Sequence, residues 1–190
     1  MRQTNQDIHS LIEQLQHKSS PKRRAAAKKI RKLRVKKAGP ALLAALKNEL
    51  EDKRTWETQY QMIMALGEME YIDSLDFLRQ LSEQDFEATM VSVAIGDAIT
   101  SIEIDDNASL TSLGKWIDSD KKELVEGGLR SVAMRHIVPK ENDIQRIIHY
   151  VSLPKNRDIQ FWAVAAAPGW PQELTAAFLK HLVVSGYLED

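Results

Sequence analysis

Eleven of the chain's 26 basic residues fall within twenty positions: Lys18, Lys22, Arg23, Arg24, Lys28, Lys29, Arg31, Lys32, Arg34, Lys36 and Lys37. No acid stands between Glu13 and Glu49. The net charge is only −1, so the remainder of the chain carries about −12, much of it between Glu49 and Glu126. One-sided charge of this kind is the chemistry of recognition. Phosphates would complement it with strongly salt-dependent affinity. An acidic protein surface would do so without any nucleic acid. The same residues also suffice to keep an end helix in water, with no ligand at all.

Residues for bond-making are scarce. The five histidines, His9, His17, His136, His149 and His181, are scattered, and none belongs to an H-E pair or an H-x-x-x-H spacing. No G-x-S-x-G, glycine-rich phosphate loop or paired nucleophile and base occurs. There is no cysteine, which removes disulfides and thiolate metal sites and fits a reducing, cytoplasmic setting. Asp105-Asp106 looks like a fragment of a calcium loop, but the glycine and distal glutamate of such loops are missing, so it reads as a plain loop. No catalytic residue, metal ligand or cofactor is expected.

The elements that must position the cations are helices. Hydrophobic residues make up 43% of the chain, with Ala, Leu and Ile dominant, and few β-branched runs alternate with period two. Start and stop signals divide the chain into about eleven helices. Thr4 or Asn5 caps the first, which runs to about Gln16 with Ile8, Leu11, Ile12 and Leu15 on one stripe. Ser19-Ser20-Pro21 starts the second, which reaches about Arg34. Gly39-Pro40 breaks the chain before a third over 41–50; Thr55 caps the fourth, Ser74 the fifth, and Asp85 opens a sixth that ends near Ile102. Further helices are expected over 109–117 and 121–137, from Asn142 or Asp143 to Leu153-Pro154, from Asn156 to Pro168-Gly169, and from Pro171 to about Val184, ahead of Gly186. The polar amino terminus does not resemble a signal peptide, and no apolar run approaches the roughly eighteen residues that span a bilayer. A soluble protein is expected.

One stretch is echoed along the chain: 55–81, TWETQYQMIMALGEMEYIDSLDFLRQL. Aligning on Leu66 gives Ile30, Leu66, Ile95, Met134 and Ala167, separated by 36, 29, 39 and 33 positions, with Ala26, Met62, Val91 and Ala163 one turn earlier. One helix pair cannot bury its apolar face alone, so such units must stack. An ordinary helical bundle is the alternative. Ala65-Leu66-Gly67-Glu68-Met69, followed by Ser74-Leu75-Asp76-Phe77-Leu78, resembles a HEAT-like repeat with an A-L-G-x-I-G helix end and a P-x-L second helix. Lys29 to Leu33 with Gly39-Pro40-Ala41-Leu42-Leu43 is similar, as is Ala94-Ile95-Gly96. The resemblance covers about 19–182 and implies an all-α fold, an α-α superhelix (HEAT-like solenoid) of about five helix pairs. It makes 1–190 a single domain, with 1–18 as an amino-terminal cap helix, 19–182 as repeats and 183–190 as the carboxyl-terminal end. Two features depart from the pattern. Gln59 stands where the first helix usually has arginine, and Gly127-Gly128 interrupts the fourth unit, leaving its register open by one residue.

The resemblance further implies that the first helix of each unit lines a concave face. At about 100° per residue, Ala26, Ile30 and Leu33 then fall on the buried side of the second helix, and Arg24, Lys28 and Arg31, flanked by Lys32, on the inner side. In the fourth helix the same projection buries Met62, Leu66 and Met69 and turns Tyr60, Met64 and Gly67 inward, with Glu57 and Glu68 at the edge. Thr89, Val93 and Gly96 face inward in the third unit, Phe161 and Ala165 in the fifth. Tyr60, Met64 and Phe161 would add adaptable apolar contact to the cations; packing of Tyr60 and Phe161 against neighbouring repeats is the alternative.

These readings converge on a non-enzymatic scaffold or adaptor that holds another protein, one with an acidic surface, in its groove. Nucleic acid on the same cations is the alternative, although no base-reading element is evident. Neither a membrane nor a small-molecule cofactor is expected. HEAT-like alkylpurine DNA glycosylases use a concave aromatic, acid and arginine set, and Asp97, Arg130 or Arg135, and Trp162 or Trp170 loosely echo that order. Val93, however, stands where an aromatic is needed, and Asp97 is expected at the edge of its helix. Metal-dependent HEAT-repeat hydroxylases carry His-Glu pairs that are missing here. Trp170-Pro171 reads as a plug over the last helix pair, and Leu174, Phe178, Leu182 and Val183 as a core stripe.

Overall fold

The computed structural model describes residues 2–104, 110–153 and 157–184, and the side chains of 7–104, 110–153 and 157–181. The expected caps Thr4 and Asn5, the loop at Asp105-Asp106-Asn107, the helix starts at Ser109 and Asn156, the break at Pro154, the core side chains Leu182 and Val183 and the stop at Gly186 lie outside that description.

Among the described residues there are eleven α-helices and no strand: α1 (Arg2–Gln14), α2 (Ser20–Leu33), α3 (Gly39–Glu49), α4 (Trp56–Glu68), α5 (Leu75–Leu81), α6 (Thr89–Glu103), α7 (Thr111–Asp118), α8 (Lys122–Met134), α9 (Glu141–Ser152), α10 (Arg157–Ala166) and α11 (Gln172–Val184). Pro21 sits in the first turn of α2 and Pro40 in that of α3, where a missing N–H costs nothing. α2 ends because Arg34 adopts a left-handed conformation (φ 47°) and donates its N–H to the Arg31 carbonyl. Glu70 (φ 50°) and His136 (φ 53°) repeat this stop after α4 and α8. α6 begins at Thr89, not Asp85: Phe86 and Ala88 first pack against the core from a non-helical segment.

The helices form two layers. α2, α4, α6, α8 and α10 pack side by side in that order, and α1, α3, α5, α7 and α9 each cover the next helix of that series, with α11 against α9. Arg24 meets Glu57 near the helix starts and Arg31 meets Glu68 near the ends, so α2 and α4 run parallel. A single hydrophobic cluster runs from Leu11 to Phe178. Ile30, Leu66, Ile95 and Ala167 lie in it as aligned, together with Ala26, Met62, Val91 and Ala163.

Three expectations fail for reasons of packing. Leu33 is 61% exposed; the buried side of α2 is Ala26, Ala27 and Ile30, and Leu33 is the last residue of the helix, just before the left-handed turn at Arg34. Met134 is 62% exposed, and the buried residue at that point of α8 is Ala133. The register of the fourth unit is thus shifted by one. Gly127 and Gly128 do not interrupt α8 but lie buried within it. A Cβ on Gly127 would sit 1.9 Å from the Val93 carbonyl oxygen and 2.7 Å from the Asp97 nitrogen, so the missing side chain is what lets α8 close on α6.

Candidate interaction face

The layer α2–α10 turns one face to the second layer and leaves the other open, and the charge of the open face is set by who pairs with whom. Every arginine of the basic segment has an acid: Arg23 holds Glu49, Arg24 holds Glu57, and Arg31 and Arg34 share Glu68. Lys18, Lys22, Lys28, Lys29, Lys32 and Lys37 are exposed and lack an acidic partner among the described residues. This division suits the two side chains, since the planar guanidinium binds carboxylates with two donors while the ammonium stays hydrated. Arg23 shows the buried form. Its Nε donates to Glu49 Oε2 at 2.5 Å, and Ser20 Oγ donates to Glu49 Oε1. Burial pushes the Glu49 carboxyl up, yet bonds from Arg23 and Ser20 hold it below the ordinary glutamate range.

Of the residues singled out from the sequence, the structure brings Arg24, Lys28 and Tyr60 together around a cavity of about 210 Å³ between α2 and α4. Trp56, Glu57 and Gln61 complete it. Arg31 is tied to Glu68, and Lys32 stands in solvent. Met64 is not on the open surface: at 1% exposure it belongs to the core, because α4 is flanked by α2 and α6 and covered by α3. Gly67 is likewise closed off, with the Ala98 backbone 2.6 Å from where its Cβ would be. Sequence reasoning missed Trp56, although it lies one turn before Tyr60 on the same stripe. Trp56 also walls a second cavity, of about 120 Å³, with Leu50, Phe86, Ala88 and Val91 as its apolar lining.

Across α6 the open face is shut. Thr89 is exposed at the helix start, but Val93, Asp97 and Ser101 are all buried, and Gly96 rests on the Leu124 carbonyl rather than facing outward. Arg135 crosses this helix end: its Nε donates to Ser101 Oγ at 3.0 Å, and its other donors reach Glu70 and the Gly67 carbonyl. Asp97 is ion-paired with Arg130 of α8, whose guanidinium lies over the Trp162 ring of α10, 5.6 Å from its centroid. Asp97, Arg130 and Trp162 therefore do come together. Arg135 acts on Asp97 only through its charge, its bonds going to Ser101, Glu70 and Gly67; Trp170 lies apart, buried near the last pair and donating its ring N–H to the Ile137 carbonyl. Burial pushes the Asp97 carboxyl up against the downward pull of Arg130.

Beyond α6 the face reopens with the opposite character. Glu126 lies half-buried on α8 with Glu123 on its own helix and Asp158 on α10 as electrostatic neighbours; burial first, and these two acids after it, lift its carboxyl to about 7. Phe161 is 55% exposed and meets Trp162 edge-on, ring centroids 5.0 Å apart. Among the described residues there is no metal-ligating cluster, and no helix long and apolar enough to cross a membrane.

Residues 8–94 match the family model for HEAT repeats. The match spans α1 to the first turns of α6, and the same alternation of layers continues through α10. Neither a curated protein nor a solved structure matches the chain.

Proposed function

We propose that this HEAT-repeat protein, with its repeats matched over residues 8–94, is a non-enzymatic scaffold or adaptor that binds another protein along the open face of its α2–α10 layer. HEAT repeats commonly serve as protein-interaction scaffolds. The observation that carries the proposal is the reversal of charge along the face. Lys28 and Lys32 stand exposed at α2 without an acidic partner among the described residues, whereas Glu123 and Glu126 share α8, close enough for Glu123 to help lift the Glu126 carboxyl. A polyanion laid along this face would be attracted at one end and repelled at the other. A folded protein or peptide, with its own mixed charges, can match both ends. Affinity capture from nuclease-treated native lysate tests this. Proteins recovered with the wild type should fall at least tenfold with the Lys28→Glu/Lys32→Glu variant; equal recovery would contradict the reading.

Nucleic acid remains the second reading, favoured by the six exposed lysines without acidic partners. Anisotropy titrations against mixed-sequence duplex DNA and single-stranded RNA, at about 50 and about 200 mM salt, separate the two, since phosphate contacts would change affinity by orders of magnitude between them. We expect no micromolar binding at either salt. The grouping of Asp97, Arg130 and Trp162 is the one feature that leans towards an enzyme of the glycosylase kind. With Asp97 buried under its arginine and Val93 at the preceding turn, we assign it to holding α6, α8 and α10 together.

A further inference from the structure

We infer that Trp56 is the anchor point for a linear partner segment that presents an aliphatic side chain beside an acidic residue. This rests on the scaffold reading and names the chemistry of one end of the partner. Trp56 opens α4 and is 38% exposed, although large aromatics at a repeat junction ordinarily finish inside. It separates two cavities. On the α6 side, the cavity of about 120 Å³ is walled by Leu50, Phe86, Ala88 and Val91. That is a little less than the roughly 150 Å³ of apolar space that admits benzene, so it suits one aliphatic side chain. On the α2 side, the cavity of about 210 Å³ carries Arg24 and Lys28 against a single acid, Glu57, which Arg24 already holds.

These charges set the polarity of the occupant. Lys28 is the cation left over, so a carboxylate on the α2 side of the anchor is favoured. Asp85, Glu87 and Lys53 border that cavity, and Lys53, its one cation, is already bonded to Glu87 at 2.9 Å, so a second carboxylate on that side would find no free cation. A partly exposed tryptophan between an apolar slot and a lysine has the composition of an interface hot spot, in which one anchor side chain carries most of the binding energy. Nucleic acid fits poorly, because the one cation bordering that cavity, Lys53, is already held by Glu87 and leaves phosphates no free partner there.

The test is selection of random 12-residue peptides displayed on phage against the full-length chain. Enriched peptides should share an aliphatic residue with Asp or Glu on one side only. A synthetic representative should lose at least tenfold in affinity with Trp56→Ala, and comparably with Lys28→Glu, while replacing its acid with lysine should restore binding to the Lys28→Glu variant. The circular-dichroism melt of each variant guards against unfolding, and Trp56→Phe, which keeps the ring, should bind within about threefold of wild type. Enriched peptides whose binding survives both substitutions would overturn this anchor and leave the scaffold reading standing. An unenriched library would overturn the anchor as well, and the lysate capture then decides the scaffold reading on its own.

Discussion

Arg23 and Glu49 show how little of the basic segment is free. Glu49 is buried, and without Arg23 its charge would have no cation, only the Ser20 and Thr55 hydroxyls, for compensation. Arg23→Ala should therefore cost about 3 kcal/mol of stability in a denaturant titration, the range seen when a buried pair loses one partner. Lys22→Ala, one residue away and exposed, should change it by less than about 0.5 kcal/mol. Glu126 behaves in the opposite sense. Its folded carboxyl titrates at about 7 against an ordinary value near 4.5, so between those pH values the native state holds a proton that the unfolded chain has released. Stability contributed by this group is thus complete below pH 4.5 and falls as pH rises towards 7. Glu126→Gln should raise stability at pH 8 by about 1 kcal/mol, after allowance for solvent screening of a half-exposed group, and change nothing at pH 4. A thermal melt series from pH 4 to 8 checks both the sign and the window.

The helices were legible because capping residues, prolines and the 3.6-residue period act locally, and the unit 55–81 was legible because its apolar positions recur. What misled was context. Met64 lies on the side of α4 that projection assigns to the groove, yet a helix with neighbours on both flanks has almost no free side. Gly127-Gly128 looked like an interruption because glycine weakens an isolated helix, and only the α6 backbone beside it reveals its purpose. Gly67, Gly96 and Gly127 each stand where a Cβ would strike the backbone of a neighbouring helix in the layer. Gly127→Ala should accordingly destabilise the chain by at least about 2 kcal/mol, since backbone cannot move aside as a side chain can. Ala133→Gly, in the same helix without such a clash, serves as the comparison; its loss should stay near the 1 kcal/mol or so of glycine's helix penalty plus its small lost burial. Of the candidate site, Arg24, Lys28 and Tyr60 followed from one-dimensional spacing. Pairing of arginines with acids some 34 positions away did not, because that distance becomes a contact only once units stack.

At the level of the whole stack, charge separation in the sequence turns into a face with two characters. Exposed lysines at α2 and the aromatics Trp56 and Tyr60 lie at one end, Glu123, Glu126 and Phe161 at the other, and α6 is closed between them. A partner long enough to touch both ends is the central claim, and it is best tested by position rather than by affinity. A photo-reactive phenylalanine analogue placed singly at Gln61, at Phe161 and at His149, an exposed position on α9 of the second layer, would be activated in the native cells and its adducts identified by mass spectrometry. The account predicts one and the same protein crosslinked from Gln61 and from Phe161, and none from His149. Adducts that form equally from His149, or from Gln61 to nucleic acid alone, would contradict it.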